Sequence, residues 1–144
     1  KDPADIAARE SMAYAAYLSG VCLANAGLGL VHGAASPLGA AREIPHGLVC
    51  GRLLPGVLRR IEERAVGDEL IAGKLTAAAA ALRCGGGSLA LYLEELLRRT
   101  GLPGFRAYGF DEESLEGLAA ECGRKNSPVD FTNAEIRTIL KEAL

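Results

Sequence analysis

The chain has no tryptophan, a single methionine and only 5% aromatic residues. A surface that stacks nucleic-acid bases needs aromatic faces, so that role has little support. An excess of one charge is also missing. Sixteen Lys and Arg stand against 18 Asp and Glu, a net charge of -2, and such a surface has no general attraction for nucleic acid or anionic lipid. The four cysteines, Cys22, Cys50, Cys84 and Cys122, are 28, 34 and 38 residues apart with no CxxC pair. That spacing argues against a zinc knuckle and against a redox dithiol. At 144 residues a domain can bury a core without a disulfide frame, so reduced thiols in a cytoplasmic protein are expected. Strand signals are lacking as well, because no run of β-branched residues alternates with a period of two.

The chain opens on Lys1 with no charged n-region leading into an apolar h-region, so no secretory signal is expected. The missing Met suggests a piece of something longer. From Ser11 to Ala41 there is no Asp, Glu, Lys or Arg, a stretch longer than the roughly 20 residues a membrane span requires. It carries Ser11, Ser19, Asn25, His32, Ser36, several glycines and Pro37, and it lacks the flanking Lys/Arg clusters and Trp belt of a span. A helix buried on all sides within a soluble protein is the expectation.

What is present is helix former: Ala, Leu, Glu and Arg dominate. The pattern predicts an all-α helical array with short connections, one domain over residues 1–144. A first helix is expected from about Pro3 to Ala26 with Asp2 as its cap. Gly27 and Gly29 loosen it before a second piece that reaches about Ala35, and Pro37 and Gly39 should break the chain. The next helix opens at Ile44, Pro45 and His46, with Pro55 expected to kink it. Leu54, Val57, Leu58 and Ile61 form its apolar face. Arg59, Arg60, Glu62, Glu63 and Arg64 form a solvated one. Asp68 is expected to cap a helix to about Arg83, Ser88 one over residues 89–100, and Asp111 a short one to about Cys122. Thr132, with Glu135 three residues on, forms a capping box for the last.

Only two histidines occur, His32 and His46. Along one continuous helix they would be about 21 Å apart, but Pro37, Gly39 and Pro45 lie between them. Two helical pieces can fold back and turn both imidazoles to one point. The neighbours of His32, which are Leu28, Leu30, Val31 and Ala35, are apolar or small, so its ring should point into protein, where it needs a partner. Neutral imidazole is the commonest metal ligand. Two histidines are still half a site, because structural zinc takes four ligands and a facial-triad iron two His and a carboxylate. Glu43 is the nearest carboxylate in sequence. Two glycine-rich runs are weaker signals. Residues 27–33 approach GxGxxG but follow no strand. Gly85, Gly86, Gly87 and Ser88 open a helix that could hold a phosphate, although a flexible turn is the commoner use.

The runs NAGLGLVHGAASPLGA (residues 25–40), IPHGL (44–48) and LLP (53–55) resemble the iron-containing (group III) alcohol dehydrogenase family. KNSPVDFT (125–132), followed by Ile136, Ile139 and Leu140, is similar to that family's closing segment. The resemblance spans essentially the whole chain. It implies the C-terminal helical metal-binding domain of the dehydroquinate synthase-like fold. In the family an N-terminal α/β domain binds NAD(P). The ligands are an Asp and a His from a DxxxH helix and two further His, which match His32 and His46 here. The first pair, and the family's GGGS cofactor loop, would lie upstream of Lys1, so residues 85–88 are not that loop. Many relatives carry a third His four residues after the first of the matched pair; here that position is Ser36, a candidate in the proton path.

The resemblance therefore implies part of an enzyme that transfers a hydride between NAD(P)H and a small aldehyde or ketone, with Fe(II), or Zn(II) as in some relatives, polarising the substrate oxygen. The chain by itself should be inactive, since the nucleotide-binding domain and two ligands are absent from it. A non-catalytic helical interaction module, or a structural metal-binding one, is the alternative. An uncharged segment stripped of covering helices should also drive association, so a homo-oligomer is expected.

Overall fold

The computed structural model describes residues 2–85, 87–124 and 126–144. In chain order, α1 spans Ile6–Ala26, α2 Leu30–Ala41, α3 His46–Arg64, α4 Glu69–Ala81 and α5 Leu89–Thr100. A short 3-10 turn at Phe105–Tyr108 precedes α6 (Glu112–Leu118) and α7 (Asn133–Glu142). No strand occurs among the described residues, and the all-α array stands. Lys1, Gly86 in the expected glycine loop and Lys125 in the closing motif lie outside the described residues.

The helices after α3 start where side-chain caps place them. Asp68 accepts from the backbone N–H groups of Leu70 and Ile71, and Ser88 accepts from that of Leu91. Asp111 with Ser114 and Thr132 with Glu135 form reciprocal capping boxes. Each satisfies donors that a first turn leaves unpaired. The cap of α1 is Asp5, which accepts from Ala8 N. Asp2, the expected cap, accepts from Ala4 N instead. It thereby closes a turn that delays the helix.

α3 is the central helix, packed against α2, α5 and α7. Val49, Leu53, Val57 and Ile61 recur every fourth residue and are all buried, an apolar stripe along one face. Leu54, expected on that face, is exposed, one position out of register with the stripe. Phe105, Leu115, Ile136 and Leu140 close the core from the C-terminal side. Full burial of a side chain like Phe105 is worth about 1.5–3 kcal/mol. α3 continues through Pro55, which is itself buried.

Pro37 does not break the chain, and α2 runs on to Ala41. A helical proline cannot donate to the carbonyl four residues back, and an unpaired carbonyl is costly. Here that carbonyl, Gly33 O, accepts instead from Gly123 N at 3.1 Å. The bond forgone within the helix is made across the fold. Such an approach requires glycine, since a Cβ on Gly33 would lie 1.7 Å from Gly123 O.

α1 departs from expectation in another way. It is a helix, but it has no buried residue, and Ile6, Met12, Tyr14, Tyr17 and Leu18 are all exposed. Helix burial needs a partner surface, and among the described residues no helix packs closely along it. Among the described residues no single helix is long and apolar enough to cross a membrane. α1 and α2 would pass only together, and they are bent by 96° at their junction. Gly27, with φ +74°, supplies the left-handed backbone at which α1 ends.

Candidate metal centre

The N-terminal half of α2 is tied down by the end of the chain. Its first residue follows Gly29, which has no side chain to cap with. The missing cap comes from Ser127, whose Oγ accepts from Leu30 N at 3.0 Å. Together with the bond from Gly123 to Gly33, this holds the closing segment over the turn that carries His32. Ala34, Ala35 and Leu38 then bury the other face of α2. α3 begins at His46, where Pro45 has the extended backbone of a cap and its carbonyl accepts from Leu48 N and Val49 N. Ile44 is buried just before it. The link between the two helices therefore has an anchored apolar residue, and the turn it makes is fixed.

The result is the fold-back expected of the two histidines. His32 Nδ1 and His46 Nε2 stand 3.1 Å apart, with ring centroids 5.3 Å apart and planes inclined by 30°. His32 is half-buried rather than sunk in the core, and His46 is exposed, so the open side of the pair faces solvent. Cys50, one turn beyond His46 on α3, joins them with its Sγ 3.6 Å from His32 Nδ1. The three donor atoms lie within 4.8 Å of one another. Among the described residues, the side-chain hydrogen-bond partners of these imidazoles are each other and this thiol. Burial pushes the Cys50 thiol above its ordinary pKa. The cluster suits a divalent ion. Two imidazole nitrogens on one tetrahedral metal stand about 3.3 Å apart, given metal–nitrogen distances near 2.0–2.1 Å.

The reading of the sequence missed Cys50. Its signal is the spacing: residues four apart on a helix share a face, and His46 and Cys50 have that spacing on α3. Glu43, the carboxylate considered there, is exposed and stands outside the donor cluster. Ser36 is exposed one turn after His32. It borders an open cleft with Pro37, Ala40, Glu121 and Gly123 and makes no side-chain hydrogen bond among the described residues.

The two glycine-rich runs find structural uses. Gly27 ends α1 and Gly29 precedes α2, so residues 27–33 form a helix junction. The start of α5 already holds an anion. Glu62, expected on a solvated face, reaches across from α3, and its carboxylate accepts from Leu89 N at 2.6 Å, Ala90 N at 3.2 Å and Ser88 Oγ at 2.6 Å. A phosphate would have to displace it. The arginines beside it, expected on the same solvated face, make ion pairs, Arg59 with Glu94 and Glu142 and Arg64 with Glu135.

Comparison with known proteins identifies relatives of the chain as a whole. A family model described as Fe-containing alcohol dehydrogenase family, C-terminal, matches residues 1–144. The chain is 35% identical to the NAD-dependent methanol dehydrogenase of Bacillus methanolicus over 97% of its own length and 39% of that protein's. It is 30% identical to alcohol dehydrogenase 4 of Saccharomyces cerevisiae over 99% of its length and 38% of that protein's. It is 52% identical to the lactaldehyde reductase of Escherichia coli over 36% of its length and 14% of that protein's. The chain thus spans less than two-fifths of the curated relatives it matches from end to end.

Proposed function

The chain belongs to the Fe-containing alcohol dehydrogenase family, and on that premise we propose that it is the metal-holding part of an enzyme that moves a hydride between NAD(P)H and a small aldehyde or ketone. One observation carries the proposal: two helices from different parts of the signature bring His32 and His46 to a nitrogen separation of 3.1 Å. A divalent ion held there, Fe(II) or Zn(II), would supply a Lewis acid for the substrate oxygen. The hydride belongs to the nicotinamide cofactor, bound mainly by sequence outside this chain.

The chain's own residues have three tasks. His32 and His46 would hold the ion between two packed helices, which position both imidazoles before substrate arrives. Val49, which has no exposed surface, seats the first turn of α3, the turn that carries His46, in the apolar core. Ser36, open to the cleft, relays a proton between site and bulk water. A hydroxyl can pass a proton along a water chain but does not titrate near neutrality as an imidazole does. By itself the chain is inactive, because the nucleotide-binding part and two family ligands lie outside it.

Metal analysis by mass spectrometry tests the proposal, on chain purified without a His-tag and dialysed against a trace of iron or zinc. Bound metal that weakens by about 100-fold or more in His32→Ala and His46→Ala is the expected result. Metal content indifferent to both substitutions would overturn the ligand assignment, whereas no metal at all would mean that the two outside ligands are needed to close the site. Aldehyde-dependent NADPH oxidation by the chain alone should stay at background, and robust turnover would refute the division of labour.

A further inference from the structure

We propose that Cys50 is a third metal donor, so that this chain by itself carries a site of two imidazole nitrogens and one sulfur with a preference for zinc over iron. The proposal rests on the assignment of His32 and His46 as ligands, and adds to it. The observation that carries it is a pair of distances. A thiolate about 2.3 Å and an imidazole nitrogen about 2.05 Å from one tetrahedral metal stand about 3.6 Å apart. Cys50 Sγ and His32 Nδ1 are 3.6 Å apart. The nitrogens of His32 and His46, at 3.1 Å, need open by only about 0.2 Å to fit the same ion. No donor pair in the cluster exceeds 4.8 Å, so closing the third edge takes a rotamer adjustment rather than a movement of helices.

The helices make this arrangement rigid. His46 and Cys50 are one turn apart on α3, and Val49 beside Cys50 has no exposed surface, so the turn that carries the thiol is anchored in the core. His32 faces them from α2, whose start is fixed by Ser127. Three protein donors with an exposed fourth side form the pattern of a zinc centre that keeps one position open. A soft sulfur in the set shifts preference toward zinc, whereas two imidazoles with oxygen donors suit iron. Thiolate coordination requires loss of the thiol proton to bulk water on binding, and no oxidation or reduction is involved.

Cobalt(II) titration of the chain, followed by absorption spectroscopy, separates this proposal from the one it builds on. Visible ligand-field bands report binding, and a near-ultraviolet sulfur-to-cobalt charge-transfer band reports thiolate. Both are expected in the unmodified chain. In Cys50→Ser the charge-transfer band should vanish while ligand-field bands persist at an affinity about 10- to 100-fold weaker. Cys22→Ser and Cys84→Ser should keep both. Ligand-field bands without charge transfer in the unmodified chain would overturn the role of Cys50 and leave the histidine pair standing. A charge-transfer band that survives Cys50→Ser would do the same. No cobalt bands at all in a chain that is folded by circular dichroism would overturn both. Competition should then show zinc displacing cobalt while iron(II) does not, and Cys50→Asp should narrow that difference.

Discussion

α2 and most of α1 are cut from one uncharged stretch, residues 11–41, yet the two helices end in opposite situations. α2 buries Leu30, Ala34, Ala35 and Leu38, and it receives a cap from Ser127 and a cross-fold hydrogen bond at Gly33. α1 buries nothing and leaves Tyr14, Tyr17, Leu18 and Val21 to solvent. Composition makes both helical, and beyond Arg9 and Glu10 near the start of α1 neither holds a charge that would decide a face. What separates them is what they meet. α2 lies against α3 and the closing segment, whose glycine and serine fit its backbone. Apolar content therefore sets the capacity for burial, and complementary backbone chemistry decides which helix uses it.

The largest effect expected from breaking that contrast is at the glycines. In Gly33→Ala the new methyl would sit 1.7 Å from the Gly123 carbonyl oxygen. The closing segment must then lift away, and the carbonyl that Pro37 leaves unpaired loses its partner. A loss of about 3 kcal/mol or more is expected, with the metal site loosened because the same segment caps the turn of His32. Gly20→Ala, on α1, has nothing within 4 Å of the added atom. There the change should raise local helix stability by about 0.5–1 kcal/mol. Urea melts of the two variants check the pair, and similar effects in both would mean that α2 is no better anchored than α1.

A second test asks what α1 does with its exposed surface. A second copy of the chain is the expected cover, since no charge lies between Ser11 and Ala41 to repel it. Light scattering should show a dimer or larger species that dissociates on dilution. Leu18→Glu together with Val21→Glu should weaken association by about 10- to 100-fold, the worth of one or two apolar side chains. A monomer at high concentration would contradict it. The same pair of changes should leave the cobalt spectrum of the His32–His46–Cys50 cluster unaltered.

Much of this fold is legible in the sequence for local reasons. The capping residues Asp68, Ser88, Asp111 and Thr132 act within three residues of themselves, so the helix starts are placed correctly from sequence, although α6 ends at Leu118 rather than near Cys122. The motif runs are enough to pair His32 with His46, because the break between them leaves a short connection with few ways to turn. What stays hidden depends on partners far along the chain. The proline rule ends α2 too early because it cannot know that Gly123, far along the chain, supplies the missing bond to Gly33. Glu62 looks like part of a charged surface until α5 comes to rest on it. Cys50 is easily counted by its spacing from other cysteines, whereas its relevant spacing is from His46.

The smallest predicted effect concerns a region where local reading and structure agree in detail, the start of α7. Glu135 accepts from Thr132 N at 2.8 Å and Thr132 Oγ1 at 2.7 Å, and these bonds, more than the nearby Arg64, hold its carboxyl below the usual pKa. A carboxylate with a depressed folded-state pKa stabilises the fold above its unfolded value of about 4.3, and that stabilisation is lost as pH falls through the folded value. The melting temperature should therefore decline below about pH 4.3, and Glu135→Gln should flatten that decline while leaving α7 intact. Thr132→Ala removes the hydroxyl that donates to Glu135 and caps its N–H, at every pH, while the backbone N–H of residue 132 stays, and should cost about 1 kcal/mol, or about 2–5 °C. An equally steep acid limb in Glu135→Gln would move the acid sensitivity elsewhere, with Asp111 at the start of α6 the next carboxylate to test, since Ser114 lowers its pKa in the same way.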